Sequence, residues 1–260
     1  MIKINGEQFM TQYFPDGTLR LRLEVNCDKV DIEWFFENNE EMVTLYFLAN
    51  HLRKALKVKT LNFIMPYIPN ARMDRVKKLD EVFTLKYFTE FINSLKFDSV
   101  CVRDAHSNVS LALIDNMVCE NIIPKIEQLS NKLLVSDKDI IFFPDEGSCK
   151  RYADSINKKY AFGIKKRDWR TGKIEGLDVN GNIPREPFNV LMIDDICSFG
   201  GTFYHSAKRL KELGAAKIWL YVTHCENSIL DGELIKSNLI EKIYTTKSIF
   251  TKENEWIEII

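Results

Sequence analysis

Short apolar runs and amphipathic stretches alternate along the first half of the chain, which predicts strands that alternate with helices. The predicted elements are a helix over Glu41 to Leu56, a strand over Leu61 to Met65, a helix over Val82 to Leu95 and a strand over Ser99 to Val102. Elements in this order are typical of an α/β domain with a mainly parallel sheet.

The same alternation starts again in the second half of the chain. Its predicted strands and helices are Ile140 to Phe143, Cys149 to Lys158, Tyr160 to Ile164, Val190 to Ile193, Thr202 to Leu213 and Ile218 to Thr223. We therefore predict two α/β domains, residues 1–130 and 131–260, that join near Ile126 to Lys138. A chain of 260 residues with 45% hydrophobic content can form two modest cores.

Composition excludes several classes of function. With 36 basic and 37 acidic residues there is no overall positive field for nonspecific nucleic-acid binding. The sequence predicts neither a signal peptide nor a membrane-spanning segment, and we expect a cytoplasmic protein with no nucleic-acid or membrane partner. The cysteines show no zinc-ligand spacing and fit reduced thiols; they are Cys27, Cys101, Cys119, Cys149, Cys197 and Cys225.

Candidate chemistry is concentrated in residues 189–202, where a buried-strand run, paired carboxylates and a glycine turn directly precede a predicted helix. Ligands of parallel sheets collect at the carboxyl ends of strands, and backbone N–H groups at a helix N-terminus suit phosphate. Gly200, Gly201 and Thr202 would supply those donors. Asp194 and Asp195 would face ribose hydroxyls or a magnesium ion. Taken alone, the segment is explained equally well as an acidic turn with a helix cap.

This segment resembles the phosphoribosyl diphosphate loop of the phosphoribosyltransferase fold, in which two acids and two variable residues precede a turn ending T-G-G-T. Here the turn is Ser198-Phe199-Gly200-Gly201-Thr202. Four further segments match, in the same order, the ribose-phosphate diphosphokinases, also called phosphoribosyl diphosphate synthetases. The resemblance implies two phosphoribosyltransferase-like domains, with the ATP side in residues 1–130 and the ribose-phosphate loop in residues 131–260.

The segment Pro66 to Arg75 is similar to the family's P-Y-x-x-Y-A-R-Q-D-R and follows a predicted strand. Two arginines suit a polyphosphate because each guanidinium can donate paired hydrogen bonds to phosphate oxygens. The resemblance assigns Arg72, Asp74 and Arg75 to ATP binding.

An N-terminal segment, Tyr13 to Thr18, resembles the family's R-F-x-D-G-E, which reaches the adenine of ATP across a subunit interface. The resemblance assigns Phe14 and Asp16 to ATP, although Thr18 stands where the family has glutamate. A hairpin turn at Asp-Gly would also explain these residues.

Two segments carry candidate metal ligands. Val102 to His106 is similar to V-D-L-H, and Phe143 to Gly147 looks like S-P-D-x-G. The resemblance places His106 and Asp145 at the magnesium ion, with His106 beside the ATP phosphates. A solvated histidine and a capping aspartate are the alternatives.

The segment Lys165-Lys166-Arg167 is similar to K-R-R at the start of the family's mobile catalytic loop, and a long polar connection to Pro187 follows it. By resemblance, Lys165, Arg167 and His106 are catalytic, and the two cations would stabilise charge on the transferred diphosphate. The implied reaction joins the β,γ-diphosphate of ATP to the anomeric hydroxyl of a 5-phosphorylated ribose and releases AMP, with magnesium as cofactor.

The chain departs from the family at the sugar-phosphate end. The family's synthetases usually carry aspartate and threonine at the positions of Ser198 and Phe199. ADP-ribose is therefore a second candidate acceptor beside ribose 5-phosphate, because Phe199 could pack against a nucleotide, as in a viral branch thought to serve NAD resynthesis. Packing of Phe199 into the neighbouring core is the alternative.

Other departures concern assembly. Fewer residues precede Phe14 than in the family, and P-x-F-S-G is missing after His224. We expect a homo-oligomer, a dimer or larger. Two rival functions are a phosphoribosyltransferase, which would not need Arg72, His106 and Lys165, and a non-catalytic homologue, which would lose the transfer residues.

Overall fold

A computed structural model describes residues 1–167 and 174–260 of the chain. These residues form two compact units, Met1–Glu120 and Asn121–Ile260. The domain boundary expected at residue 130 falls inside a helix, Ile123–Leu133, that belongs to the second unit. Each unit is described on its own.

The first unit is a six-stranded sheet with a separate hairpin. Its strands are β1 (Ile2–Ile4), β2 (Glu7–Gln8), β3 (Gln12–Tyr13), β4 (Leu19–Arg20), β5 (Lys29–Trp34), β6 (Thr60–Ile64), β7 (Ser99–Arg103) and β8 (Met117–Glu120). The sheet order is β2-β1-β5-β6-β7-β8, with β5 to β8 parallel and β1 antiparallel to both its neighbours. Strands β3 and β4 pair with each other, which confirms the predicted hairpin at Asp-Gly.

Three helices cover this sheet: α1 (Glu41–Asn50), which continues as a π-helical turn over His51–Ala55, α2 (Thr84–Ser94) and α3 (Asn108–Leu113). The core forms because alternate residues of β5 and β6 face the helices, as the two-residue period of a strand requires. Phe63 stacks on Phe97 with ring centroids 4.5 Å apart, and Trp34 lies against Phe63 and Phe88. Each such buried ring contributes about 1.5–3 kcal/mol.

The second unit is a seven-stranded sheet. Its elements are α4 (Ile123–Leu133), β9 (Ile140–Phe143), α5 (Glu146–Tyr152), β10 (Tyr160–Arg167), β11 (Ile174–Gly181), β12 (Phe188–Cys197), α6 (Gly201–Glu212), β13 (Ala215–Cys225), α7 (Glu233–Lys236), β14 (Lys242–Thr245) and β15 (Ile257–Ile259). The order is β11-β10-β9-β12-β13-β14-β15, and every pair except β10 and β11 is parallel.

Successive residues of β12 enter opposite cores, because both faces of a parallel sheet are covered. Val190 and Met192 pack in the cluster that contains α6, whereas Leu191 and Ile193 pack with residues of α4 and α5. A continuous apolar run is therefore the pattern that this strand requires.

The predicted fold class, with two mainly parallel sheets flanked by helices, is confirmed. Two local predictions were wrong. The polar connection to Pro187 contains strand β11, and its residues Leu177 and Val179 pack on the core. The helix predicted from Cys149 begins at Glu146, where Asp145 caps it. None of the helices that the structure describes is long and apolar enough to cross a membrane.

Candidate functional site

The carboxyl ends of β9, β12 and β13 meet at one edge of the second sheet, because the three strands are parallel neighbours. Asp194 and Asp195 lie at this edge. They were expected in the loop after the strand, but they belong to β12 itself, where Asp194 is opposite Val222 of β13. The strand therefore continues through both acids and fixes their backbone.

The two acids have different surroundings. Asp194 is half-buried, and its Oδ1 accepts a hydrogen bond from the Asp195 backbone N–H at 2.9 Å. Burial, followed by the neighbouring Asp195 carboxylate and by Asp145, raises the pKa of Asp194 well above its ordinary value. The strand end therefore concentrates negative charge where a cation or a hydrogen-bond donor would be favoured.

Asp195 is buried and forms an ion pair with Arg151 of α5. Asp195 Oδ2 lies 2.8 Å from Arg151 Nη1, and the carboxylate side chain is only 6% exposed. A carboxylate this deeply buried requires a charged or hydrogen-bonding partner. The guanidinium also lies 5.6 Å from the ring centroid of Tyr152.

Asp145 caps α5. Its Oδ1 accepts hydrogen bonds from the backbone N–H groups of Gly147 at 3.0 Å and Ser148 at 3.1 Å, as an N-cap aspartate does. The capping alternative is therefore present in the structure. Asp145 also raises the pKa of Asp194, so the same carboxylate contributes to the negative charge at the end of β12.

The glycine turn joins β12 to α6. Gly200 has φ +79°, and a Cβ there would lie 2.7 Å from Ile229 Cδ1, so both conformation and space favour glycine. The first intrahelical bond runs from Tyr204 N–H to the Gly200 carbonyl, so the N–H groups of Gly201, Thr202 and Phe203 precede the helical ladder. Helix amides in this position suit an anion.

Phe199 is 58% exposed, so the alternative in which it packs into the core is wrong. Ser198, which precedes it, is half-buried, and its Oγ lies 3.4 Å from Ser228 Oγ. The turn therefore presents one aromatic side chain outward and one hydroxyl toward the segment after β13.

That segment, residues 226–232, packs against the turn and stabilises it. The Glu226 N–H donates to the Cys197 carbonyl at 2.8 Å, and Ser228 Oγ donates to Glu226 Oε2 at 3.2 Å. Gly232 lies against the Phe199 carbonyl. These contacts hold the backbone of the turn at Cys197 and Phe199.

In the first unit, the loops after β6 and β7 carry the candidate ATP residues. The Arg103 N–H donates to the Pro66 carbonyl at 3.0 Å and joins the two loops. Arg72 and Arg75 are exposed, and Arg75 Nε lies 3.5 Å from Asp74 Oδ1. His106 is half-buried on the second loop.

The hairpin β3–β4 carries Phe14 and Asp16. Phe14 is 48% exposed, and the guanidinium of Arg20 lies 5.7 Å from the centre of its ring. Asp16 Oδ1 accepts from the Thr18 hydroxyl at 2.7 Å and the Thr18 N–H at 3.0 Å, and these bonds lower the pKa of Asp16. The carboxylate thus stabilises its own turn.

The remaining predicted catalytic residues are only partly described. The backbones of Lys165 and Arg167 belong to β10, opposite Leu177 and Ile174 of β11, but their side chains lie outside the described residues. Within the described part of the chain, no group of three or more histidine, cysteine, aspartate or glutamate side chains is arranged to hold a metal ion.

Sequence reasoning missed Arg151 and the bracing residues Glu226, Ser228 and Gly232. Arg151 carries no sequence signal of its own, because a basic residue near a helix C-terminus is common. Gly232 stands in a short polar stretch that looks like an ordinary turn. Only the pairing of distant segments reveals these contacts.

Comparisons with known proteins agree with this geometry. No family model matches the sequence. "Ribose-phosphate pyrophosphokinase 1" of Listeria monocytogenes is 26% identical over 257 residues, which cover 95% of this chain and 79% of the relative. "Ribose-phosphate pyrophosphokinase" of Pyrococcus abyssi is 32% identical over 222 residues, covering 81% of this chain and 74% of the relative.

A solved structure has the same fold. The phosphoribosylpyrophosphate synthetase of Mycobacterium smegmatis superposes with a TM-score of 0.77 at 16% identity, covering 97% of this chain and 85% of that one. At this identity the likeness concerns the fold alone. The Pyrococcus abyssi relative is similar enough in sequence, and over enough of both chains, to establish kinship. The chain therefore belongs to the ribose-phosphate pyrophosphokinase family.

Proposed function

We propose that this protein is an ATP-dependent diphosphokinase that transfers the β,γ-diphosphate of ATP to the anomeric hydroxyl of a 5-phosphorylated ribose. The hydroxyl oxygen bonds to the β-phosphorus, the bond from that phosphorus to the α,β-bridging oxygen breaks, and AMP leaves while the hydroxyl proton is released. Membership of the ribose-phosphate pyrophosphokinase family supports this proposal. The observation that carries it is the sequence of groups at the end of β12: paired acids, a left-handed glycine and the amides of α6.

The start of α6 suits the 5-phosphate. Gly201, Thr202 and Phe203 contribute backbone N–H groups that precede the helical ladder, and the helix dipole favours an anion there. A Cβ on Gly201 would meet no atom within 4 Å, so the space beside this residue is open. Ser198 and Thr202 add hydroxyl donors to the same turn.

The acids suit the sugar. Two carboxylates repel a phosphate but accept hydrogen bonds from ribose hydroxyls, and Asp194 and Asp195 precede the phosphate-binding amides by only a few residues. The raised pKa of Asp194 supports the same assignment, because hydroxyl donors or a cation stabilise a carboxylate that otherwise resists ionisation.

ATP is assigned to residues of the first unit. The exposed guanidiniums of Arg72 and Arg75 suit a triphosphate, and Asp74 holds Arg75 by an ion pair. Phe14 offers an exposed ring for a base, and Asp16 maintains the turn that presents it.

A magnesium ion fits the donor chemistry of the chain. Magnesium is usually held by one or two carboxylates together with substrate phosphates and water, and the described residues contain no larger set of metal ligands. By resemblance, Asp145 is the candidate metal ligand of the second unit, and His106 is a separate candidate ligand in the first. When bound, the ion neutralises charge on the transferred diphosphate.

His106, Lys165 and Arg167 are assigned to catalysis. Cations that contact the migrating diphosphate stabilise charge in the transition state, where little covalent help from the protein is needed. The protein's main contribution is alignment of the hydroxyl with the bond that breaks.

ADP-ribose is the second candidate acceptor, as is thought for some viral relatives in the family, and its use would serve NAD resynthesis. Phe199 supports it, because this exposed ring replaces a hydroxyl residue beside the phosphate-binding amides. An aromatic side chain there can stack on a nucleotide or shield the second phosphate from water. Ribose 5-phosphate would not use the ring.

The first experiment measures AMP release from ATP and magnesium with ribose 5-phosphate and ADP-ribose in parallel, and follows the sugar product by mass. A product heavier by one diphosphate from ribose 5-phosphate supports the main proposal, and the corresponding product from ADP-ribose supports the second acceptor. AMP release from neither would favour a phosphoribosyltransferase or a non-catalytic homologue. Protein with Asp194→Asn is the negative control.

A further inference from the structure

We propose that Arg151 is a positioning residue of the sugar site, which holds Asp195 against α5 so that Asp194 presents its carboxylate to the ribose hydroxyls. The inference rests on the proposed function. It gives the two acids different roles: Asp194 contacts the ligand, and Asp195 aligns the Asp194 carboxylate.

Burial separates the two acids. The side chain of Asp195 is 6% exposed and lies 2.8 Å from Arg151 Nη1, whereas Asp194 is half-buried. A ligand can therefore reach Asp194 more readily than Asp195. Removal of one partner from a buried ion pair leaves an uncompensated charge, so loss of Arg151 would displace the Asp195 carboxylate toward water.

Arg151 is itself held in place. It belongs to α5, whose first turn is fixed by the hydrogen bonds from Gly147 and Ser148 to Asp145. Its guanidinium lies 5.6 Å from the ring of Tyr152, which is buried at 2% exposure. A short helix thus anchors the cation before any ligand binds, as a precise site requires.

The alignment passes from Asp195 to Asp194 through the backbone. The Asp195 N–H donates to Asp194 Oδ1 at 2.9 Å, so a rotation of residue 195 would change the hydrogen bond that orients the Asp194 carboxylate. The connection therefore runs from α5 through Arg151 and Asp195 to Asp194.

The alternative is that Arg151 binds a ligand phosphate directly. Its side chain is 25% exposed, but its guanidinium is already at ion-pair distance from a buried carboxylate. A direct role and a positioning role make different predictions for a double mutant, because only the positioning role needs Asp195.

The test compares Arg151→Met, Arg151→Lys, Asp195→Asn and the double variant, with Lys150→Met as the matched control. Lys150 is on the same helix, and its side chain is 80% exposed. KM for ribose 5-phosphate, KM for ATP, kcat and thermal unfolding are measured for each. Arg151→Met should raise the sugar KM by about tenfold and leave the ATP KM unchanged.

Two further results are expected. Arg151→Lys should recover part of the sugar KM, because it keeps the charge without the planar fork. In the Asp195→Asn background, Arg151→Met should change the sugar KM by less than about twofold, because the residue through which it acts is already neutral. If Arg151→Met alone does not fold, the comparison of the double variant with Asp195→Asn still tests the inference, because the double variant leaves no unpaired charge.

The inference would be overturned if Arg151→Met left the sugar KM unchanged. It would also be overturned if Arg151→Met raised the sugar KM by the same factor in the wild-type and Asp195→Asn backgrounds, because that result indicates direct binding. Failure of the proposed function looks different: the wild-type protein would release no AMP. Calorimetric binding of ribose 5-phosphate would then replace KM, and weaker binding by Arg151→Met would support the positioning role. A wild-type protein that binds no sugar phosphate would overturn both.

Discussion

Gly232 lies so close to Phe199 that a Cβ on Gly232 would be 1.9 Å from the Phe199 carbonyl oxygen. The backbone of Gly232, with φ −79° and ψ 160°, is accessible to any residue. Glycine is therefore required here by space and not by conformation. The segment after β13 thus determines the shape of the turn that is proposed to bind phosphate.

Gly232→Ala should displace this turn. We expect a rise in the KM for the sugar phosphate of about tenfold or more and a loss of about 1–3 kcal/mol in the free energy of unfolding, as overpacking usually costs. The KM for ATP should not change. Steady-state kinetics with each substrate varied in turn, together with denaturant unfolding, measures both effects.

Gly201→Ala is the matched control for stability, because a Cβ at that position meets no atom within 4 Å. It should unfold at a denaturant concentration at least as high as that of the wild-type protein, because alanine is favoured over glycine at an unstrained helical position. If Gly232→Ala is equally stable and keeps its sugar KM, the contact with Phe199 does not constrain the turn.

Phe199→Thr should change the choice of acceptor. If the exposed ring contacts the nucleotide part of ADP-ribose, its loss removes a stacking contact of about 0.5–1.5 kcal/mol, which corresponds to roughly two- to thirteenfold in kcat/KM for that substrate. The same variant should retain or improve its use of ribose 5-phosphate. Competition between both acceptors, resolved by mass, gives the ratio directly.

Phe199→Leu separates aromatic stacking from simple apolar bulk. It should resemble the threonine variant if stacking matters and the wild-type protein if bulk suffices. An acceptor ratio that stays the same in both variants would remove Phe199 from substrate selection.

The order of strands and helices could be predicted from sequence because buried parallel strands have continuous apolar runs. Val190 to Ile193 is such a run, and the structure confirms it. The same reasoning ended the strand too early, because charged residues normally mark a strand end. Both acids continue the strand because each carboxylate has a partner. Arg151 compensates the charge of Asp195, and the Asp195 backbone N–H donates to the Asp194 carboxylate.

Contacts between distant segments could not be predicted. The pairing of Arg151 with Asp195 and of Gly232 with Phe199 depends on how α5 and the segment after β13 pack on β12. Neither pair has a local signal. Strand β11 was missed for a different reason: its apolar positions Leu177 and Val179 alternate with polar ones in a stretch that is polar overall.

Lys165→Ala should lower kcat by about 100-fold with little change in either KM, because a cation that acts on the transition state contributes little to ground-state binding. Rapid-quench measurement of AMP formation in a single turnover tests the chemical step itself. Lys166→Ala removes the same charge from the next residue and serves as the control. Equal losses in both variants would point to general charge and not to a catalytic role of Lys165.

Asp98 should make stability depend on pH in the acid range. The hydrogen bond from the Leu61 N–H, followed by that from Arg53, lowers the pKa of Asp98 below its ordinary value. A lowered pKa stabilises the fold above the unfolded-state value and loses that contribution as pH falls through the folded-state value. Asp98→Asn should therefore cost about 0.5–1 kcal/mol at neutral pH, since the pair is partly exposed.

Urea unfolding of wild type and Asp98→Asn at a series of pH values tests this, and the difference should vanish in acid. Asp28→Asn is the control, because the Asp28–Lys59 pair is exposed at 72% and 75%. A difference for Asp98→Asn that persists unchanged in acid would show that the effect does not come from the charge.

Asp194→Asn should stabilise the ligand-free protein while it weakens sugar binding. The folded state holds the Asp194 proton more tightly than the unfolded chain, because burial and nearby carboxylates raise the pKa. Stability from this group is therefore complete below the ordinary pKa and falls as pH rises toward the raised value. Asparagine does not titrate, so the variant should not lose stability in this way. The difference in the free energy of unfolding between the variant and the wild type should therefore grow with pH.

Binding should change in the opposite direction. A hydrogen bond from a ribose hydroxyl to a charged carboxylate contributes about 1.5–3 kcal/mol, so the variant should bind ribose 5-phosphate roughly 10- to 150-fold more weakly. Thermal unfolding at a series of pH values and calorimetric titration of ribose 5-phosphate give the two quantities on the same protein.

A variant that is less stable than the wild type at neutral pH would mean that Asp194 is ionised and compensated in the free protein. A variant that binds the sugar normally would move the ribose contact away from Asp194. Opposite signs in the two measurements are the expected behaviour of a charge that is held in place for a ligand.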